Sequence, residues 1–186
     1  RRTSGRRDFS VPPVGETLLD RLAAAHIPRV GVGKVDDLFA GRGITSVHPV
    51  GNPEAYATIA SALGTMARGF LFANVVEFDQ SWGHRNDVPG FHAGLLALDA
   101  ALPRMLAPVR DEDLIIITAD HGNDPTTAST DHSRERVPVL ALGPRVRPVP
   151  LGIRQTYADV GQTLAEFFGV PPLASGQSFL REIWDG

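Results

Sequence analysis

Two apolar runs, Phe70 to Val76 and Leu114 to Thr118, are each followed within a few residues by carboxylate and imidazole side chains. A run with almost no polar interruption is the pattern of a strand covered on both faces. Strands of that kind belong to parallel sheets, whose crossover connections lay helices over both sides. The rest of the chain supplies those helices. Glu16 to Ala25 carries Leu18, Leu19 and Leu22 at helical spacing and stops before Pro28, ahead of a short strand at Val30-Gly31-Val32. Lys34 to Phe39 reads as a short helix and Ala40-Gly41-Arg42-Gly43 as a loop. Asn52-Pro53-Glu54 opens a helix that runs through Ile59, Leu63 and Met66 to Gly69. Phe91 to Leu106 is helical, Val137 to Leu142 is a third buried-strand candidate, and Tyr157 to Phe168 is an amphipathic helix. The expected architecture is α/β, a three-layer α/β/α core around a mostly parallel sheet.

With 186 residues and 42% hydrophobic content, the chain is of single-domain size. On that scale roughly 70% of the unfolded surface can be buried. A net charge of −3, without any block of like charge, argues against nucleic acid as a partner. No apolar run approaches the ~18 residues of a membrane span, so no membrane partner is expected. The absence of cysteine removes thiolate metal sites and a cysteine nucleophile, and any metal ligands must be nitrogen and oxygen. The basic opening from Arg1 to Arg7 reads as the start of a truncated chain, with a processed N-terminus as the alternative.

Ligands in such a sheet bind beyond the carboxyl ends of the strands, and both clusters lie there. The first holds Asp79 and His84; the second holds Asp120 and His121, joined after a loop by His132. Five side chains exceed what one ion usually takes from a protein, so two metals are expected. Gly122 lets the backbone leave extended geometry so that Asp120 and His121 converge. A sulfur-free Asp/His set suits manganese, zinc or iron. Paired ions of this kind serve phosphoryl or sulfuryl transfer. Thr126, Thr127 and Thr130 put hydroxyls near the site. His26, His48 and His92 lack a comparable cluster and read as structural, and Trp82 and Phe91 as packing groups.

The segments Asn74 to Arg85, Thr118 to Pro125 and Thr130 to Glu135 resemble phosphopentomutase, of the alkaline-phosphatase superfamily. The resemblance extends to Arg2 to Asp8 and Gly33 to Thr45, and so covers nearly the whole chain. It implies interconversion of ribose or deoxyribose 1-phosphate with the 5-phosphate in cytoplasmic nucleoside catabolism. Two manganese ions, a phosphorylated threonine and a sugar bisphosphate activator would take part. Asp79, His84 and His132 resemble the ligands of one metal, Asp120 and His121 part of the other. Arg2 and Lys34 resemble contacts to the pentose phosphate. Small departures from the family pattern are Ser81-Trp82 and Asn86.

Family members begin with a strand bearing one more metal aspartate, then the threonine nucleophile, then an inserted cap domain. None of these matches this sequence. The resemblance therefore implies residues 1–15 as the end of the cap and its linker, and 16–186 as the C-terminal part of the metal-binding core. Thr126, Thr127 and Thr130 are then not nucleophiles, and the chain alone is expected to be inactive without the N-terminal portion of the same protein. Two other readings remain: a cofactor-independent phosphoglycerate mutase, and a non-catalytic metal-binding or assembly module.

Overall fold

A computed structural model describes residues 10–185. Arg2, and most of the stretch read as a cap remnant, lie outside the described residues. Three short strands, β1 (Arg29–Val32), β2 (Ser46–Val47) and β3 (Phe70–Ala73), pair in the order β2-β1-β3, all parallel. Val32 stands opposite both Val47 and Ala73, so the three strands reach their carboxyl ends together.

Side-chain alternation along β3 divides the core into two faces. Phe70 and Phe72 pack on one side, among side chains of α1 (Leu18–Ala24), α2 (Val35–Leu38) and α5 (Ala158–Phe167), including Leu19, Leu22, Val35 and Ala165. Leu71 and Ala73 pack on the other with Val32, against Tyr56 and Ile59 of α3 (Asn52–Thr65) and Met105 of α4 (Val88–Leu106). Helices on both faces make the expected three layers. A short α6 (Leu180–Ile183) packs on α5 and buries Ile183.

Two further strands, β4 (Ile115–Thr118) and β5 (Val139–Leu142), form a separate antiparallel ladder in which Ile115 faces Leu142 and Thr118 faces Val139. The third strand read from the sequence thus runs against its neighbour. The chain returns to it through an irregular loop, without the helical crossover that a parallel partner needs. Neither β3 nor β4 is sealed from solvent on both faces; every residue of β3 is half-buried.

The β3 ladder is also shorter than its apolar run. It closes where the Asn74 N–H donates to the Val32 carbonyl at 2.8 Å. Gly33, just past β1, has φ +86, and a Cβ there would overlap the Asn74 carbonyl. Only glycine lets the two strand exits lie this close.

Candidate metal centre

Beyond β3 the chain winds into one wide π-helical turn, Phe78–Trp82, followed by a 3-10 turn, Gly83–Arg85. Aromatic packing holds this winding against α4. The Phe78 ring lies edge-on to Trp82 at 5.3 Å and to Phe91 at 5.5 Å. The two turns carry Asp79 and His84 to one point, with His84 Nε2 3.3 Å from Asp79 Oδ1.

The second cluster arrives from β4. Asp120 and His121 follow its end, and an isolated antiparallel bridge between Gly122 and Ser133 then folds the loop back on itself. The Gly122 N–H donates to the Ser133 carbonyl at 3.2 Å, and the Ser133 N–H returns the bond at 2.9 Å. That bridge sets His132 beside His121, with their rings stacked at 3.6 Å.

His132 Nε2 reaches 3.1 Å from Asp79 Oδ1 and 3.2 Å from His84 Nε2. His121 Nε2 lies 4.0 Å from the same Asp79 oxygen and 3.7 Å from Asp120 Oδ1. Three imidazole nitrogens therefore converge on one carboxylate oxygen. Asp120 is the outlying member, with its side chain 69% exposed. Asp79, His121 and His132 offer ligand atoms mutually within 4.8 Å, and His84 touches both Asp79 and His132. All five residues singled out in the sequence meet here, in one continuous group rather than two separated sets.

The donor chemistry fits a divalent metal. The Thr130 carbonyl can only accept, so the His84 Nδ1 that lies 2.6 Å from it carries the proton. His84 Nε2 is then left as a lone pair aimed into the cluster. Imidazole nitrogen with carboxylate oxygen is a set that manganese, zinc and iron all accept.

The neighbouring hydroxyls are engaged in local turns. Thr126 Oγ1 donates to Asp124 at 2.7 Å and Thr127 Oγ1 to the Asp124 carbonyl at 2.9 Å. Those bonds from the Thr126 side chain and N–H hold the Asp124 carboxyl below its ordinary range. Lys34 lies two residues past the end of β1, half-buried on the same carboxyl edge of the sheet.

One reading of the histidines needs correction. His48 does have an acidic partner: its Nε2 stands 2.9 Å from Asp36, and Asp37 completes a second acidic group there. The pairing of β2 with β1 brings them together, and linear spacing does not reveal it. Sequence reasoning also passed over Asn123, whose Nδ2 donates to Asp79 Oδ1 at 2.9 Å, and the pairing of Asn52 with Glu77, whose carboxylate accepts the Asn52 N–H at 2.6 Å. The one available signal for Asn123 was its place two residues after His121.

Comparison with known proteins gives the family. The metalloenzyme superfamily model matches residues 32–172. The chain is 51% identical to the phosphopentomutase of Dictyoglomus thermophilum, over 100% of its own length and 48% of that protein. It is 49% identical to the phosphopentomutase of Caldanaerobacter subterraneus, over 98% of its length and 47% of that protein. With that of Thermotoga maritima it shares 48% identity over 99% of its length and 48% of that protein. The chain thus spans about half the length of the curated relatives it matches. Among solved structures, a 2-O GAG sulfatase superposes with a TM-score of 0.70 at 14% identity, over 97% of this chain and 59% of the other, which shows a shared fold. The PH0037 protein from Pyrococcus horikoshii superposes with a TM-score of 0.53 at 26% identity, over 66% of this chain and 39% of the other. This chain belongs to the metalloenzyme superfamily, and phosphopentomutases are its homologues along its whole length.

Proposed function

We propose that this chain supplies the metal-binding face of a phosphopentomutase, interconverting ribose or deoxyribose 1-phosphate and 5-phosphate. The observation that carries the reading is the convergence of His84, His121 and His132 on Asp79 in a chain about half identical to several phosphopentomutases. Asp79, His84 and His132 would hold one ion, and Asp120 with His121 would contribute to a second. Manganese is the favoured metal, in a cytoplasmic enzyme of nucleoside catabolism. When bound, such ions neutralise the oxygens of a transferring phosphoryl group and activate the attacking one.

The chain's own residues prepare that chemistry. The Thr130 carbonyl turns His84 so that Nε2 faces inward, and the Gly122–Ser133 bridge holds His132 against His121. Lys34, on the same edge, and Arg2 would hold the sugar phosphate, whose charge both complement. A sugar bisphosphate would act as activator. No hydroxyl of this chain is assigned the nucleophilic role; that group and a further metal carboxylate are expected from the part of the family's length that the chain does not span. Residues 1–186 alone should then bind metal without forming a phosphoenzyme.

Calorimetric titration with Mn²⁺ tests the centre: saturable binding is expected, and it should be lost in Asp79→Ala and His132→Ala. Assay of the whole protein on ribose 1-phosphate and on 3-phosphoglycerate tests the substrate. Conversion of 3-phosphoglycerate alone would replace this reading with a phosphoglycerate mutase, and metal binding without either activity would favour a non-catalytic module. A phosphorylated side chain found by mass spectrometry on residues 1–186 after incubation with sugar bisphosphate would overturn the assignment of the nucleophile.

A further inference from the structure

We propose that Asn123 is a positioning residue for Asp79, fixing the carboxylate oxygen on which the imidazoles converge. The inference rests on the metal reading above. Asn123 Nδ2 donates to Asp79 Oδ1 at 2.9 Å across 44 residues of sequence. That oxygen is the one approached by His132 at 3.1 Å, His84 at 3.3 Å and His121 at 4.0 Å. A carboxylate left to itself turns freely about its last bond. A charge-assisted hydrogen bond from a neutral amide stops that rotation without adding a charge to the site.

Gly83 supplies an independent observation. It is buried, with φ −59 and ψ −60, ordinary right-handed helical backbone that any residue adopts. Nothing in its conformation calls for glycine. A Cβ there would, however, overlap the Asn123 side chain amide. The glycine between Asp79 and His84 is thus explained by the space the Asn123 amide occupies. The amide is pinned between the Gly83 backbone and the Asp79 carboxylate, which ties the loop after β4 to the turn after β3.

Outer-shell partners that orient metal ligands typically control affinity by about 10–100-fold. Mn²⁺ titration of the full chain, with melting of the metal-free protein in parallel, tests the role. Asn123→Ala is expected to weaken Mn²⁺ binding about tenfold while the metal-free melting point stays close to that of the unsubstituted chain. Asn123→Leu, which keeps the branched shape without the donor, should behave alike and covers the case in which lost volume unfolds the loop. Gly83→Ala should also weaken binding, yet add nothing in the Asn123→Ala background, which removes the three atoms its Cβ would meet first. Variants that bind Mn²⁺ as the unsubstituted chain does would overturn the proposal and leave the metal centre standing. A melting point that falls in step with affinity would overturn it in favour of a general structural role. Failure of the unsubstituted chain to bind Mn²⁺ would remove the metal centre and this proposal with it.

Discussion

His84 and Thr130, 46 residues apart, are joined through the imidazole Nδ1–H and the backbone carbonyl at 2.6 Å, so the Thr130 side chain has no part in the contact. Thr130→Ala should therefore leave Mn²⁺ affinity within about twofold, whereas His84→Ala removes a ligand. That loss should exceed about tenfold, the lower end of what an outer-shell partner alone costs. Parallel calorimetric titrations decide it. A large loss in Thr130→Ala would mean that the hydroxyl, and not the carbonyl, matters.

Acid should destabilise the fold through Asp36 and Asp20. Burial opposes ionisation of Asp36, but the hydrogen bond and charge of His48, with Ser46 and the Asp37 N–H, outweigh it and hold the carboxyl below its ordinary range. Asp20 is likewise lowered: burial opposes, while the Thr17 N–H and hydroxyl and the Arg42 guanidinium prevail. An unfolded Asp titrates at about 3.9. Above that value both states are ionised and the stabilisation is fully present; as pH falls through the lower folded values, protonation removes it. Urea midpoints should drop from about pH 4 downward, and less steeply in the Asp20→Asn/Asp36→Asn double variant. An unchanged acid limb in that variant would show that other groups carry the effect.

The first helix depends on its cap. Thr17 receives the Asp20 N–H at 3.4 Å while Asp20 accepts the Thr17 N–H at 2.7 Å, a reciprocal box at the head of the helix that buries Leu19 and Leu22. Thr17→Ala should cost about 1 kcal/mol by chemical denaturation. Arg42 also binds Asp20, at 2.7 Å, so Thr17→Ala in an Arg42→Ala background should cost a different amount from the same change alone. Strict additivity would separate the two contacts.

Much of this molecule is legible in its sequence, because most of its elements carry a hydrophobic signal, helical period in the helices and unbroken apolar runs in the strands. The helices around Leu22, Ile59 and Met105 and the strands around Leu71 and Ile116 all carry that signal. The five clustered Asp and His residues stand out because acidic and imidazole groups at strand ends are chemically conspicuous. What escaped detection depends on contacts distant in sequence. The two-residue β2 is too short to show a period, yet its pairing of Val47 with Val32 is what delivers His48 to Asp36. The return of His132 is legible in the sequence, but the single bridge between Gly122 and Ser133 that brings it about is not. The wide turn at Phe78–Trp82, where an ordinary helical turn would aim Asp79 elsewhere, is held by aromatic packing with α4.

That packing makes Gly94 a sensitive position. It is buried in the middle of α4 under the Trp82 indole, and a Cβ there would overlap the ring. In an open helix, replacing glycine with alanine stabilises by about 1 kcal/mol. Overpacking a filled site costs about 1–3 kcal/mol, so Gly94→Ala should be net neutral to destabilising. The larger consequence should be at the metal centre, because Trp82 lies between Asp79 and His84 in the chain and packs edge-on against Phe78 of the same turn, so that displacing it is expected to move the turn that bears them. Gly94→Ala is therefore expected to weaken Mn²⁺ binding more than its melting point suggests, and Trp82→Phe in the same background should restore part of it by relieving the overlap. A Gly94→Ala chain that melts higher and binds Mn²⁺ unchanged would show that the indole has room to move and that the turn does not depend on it.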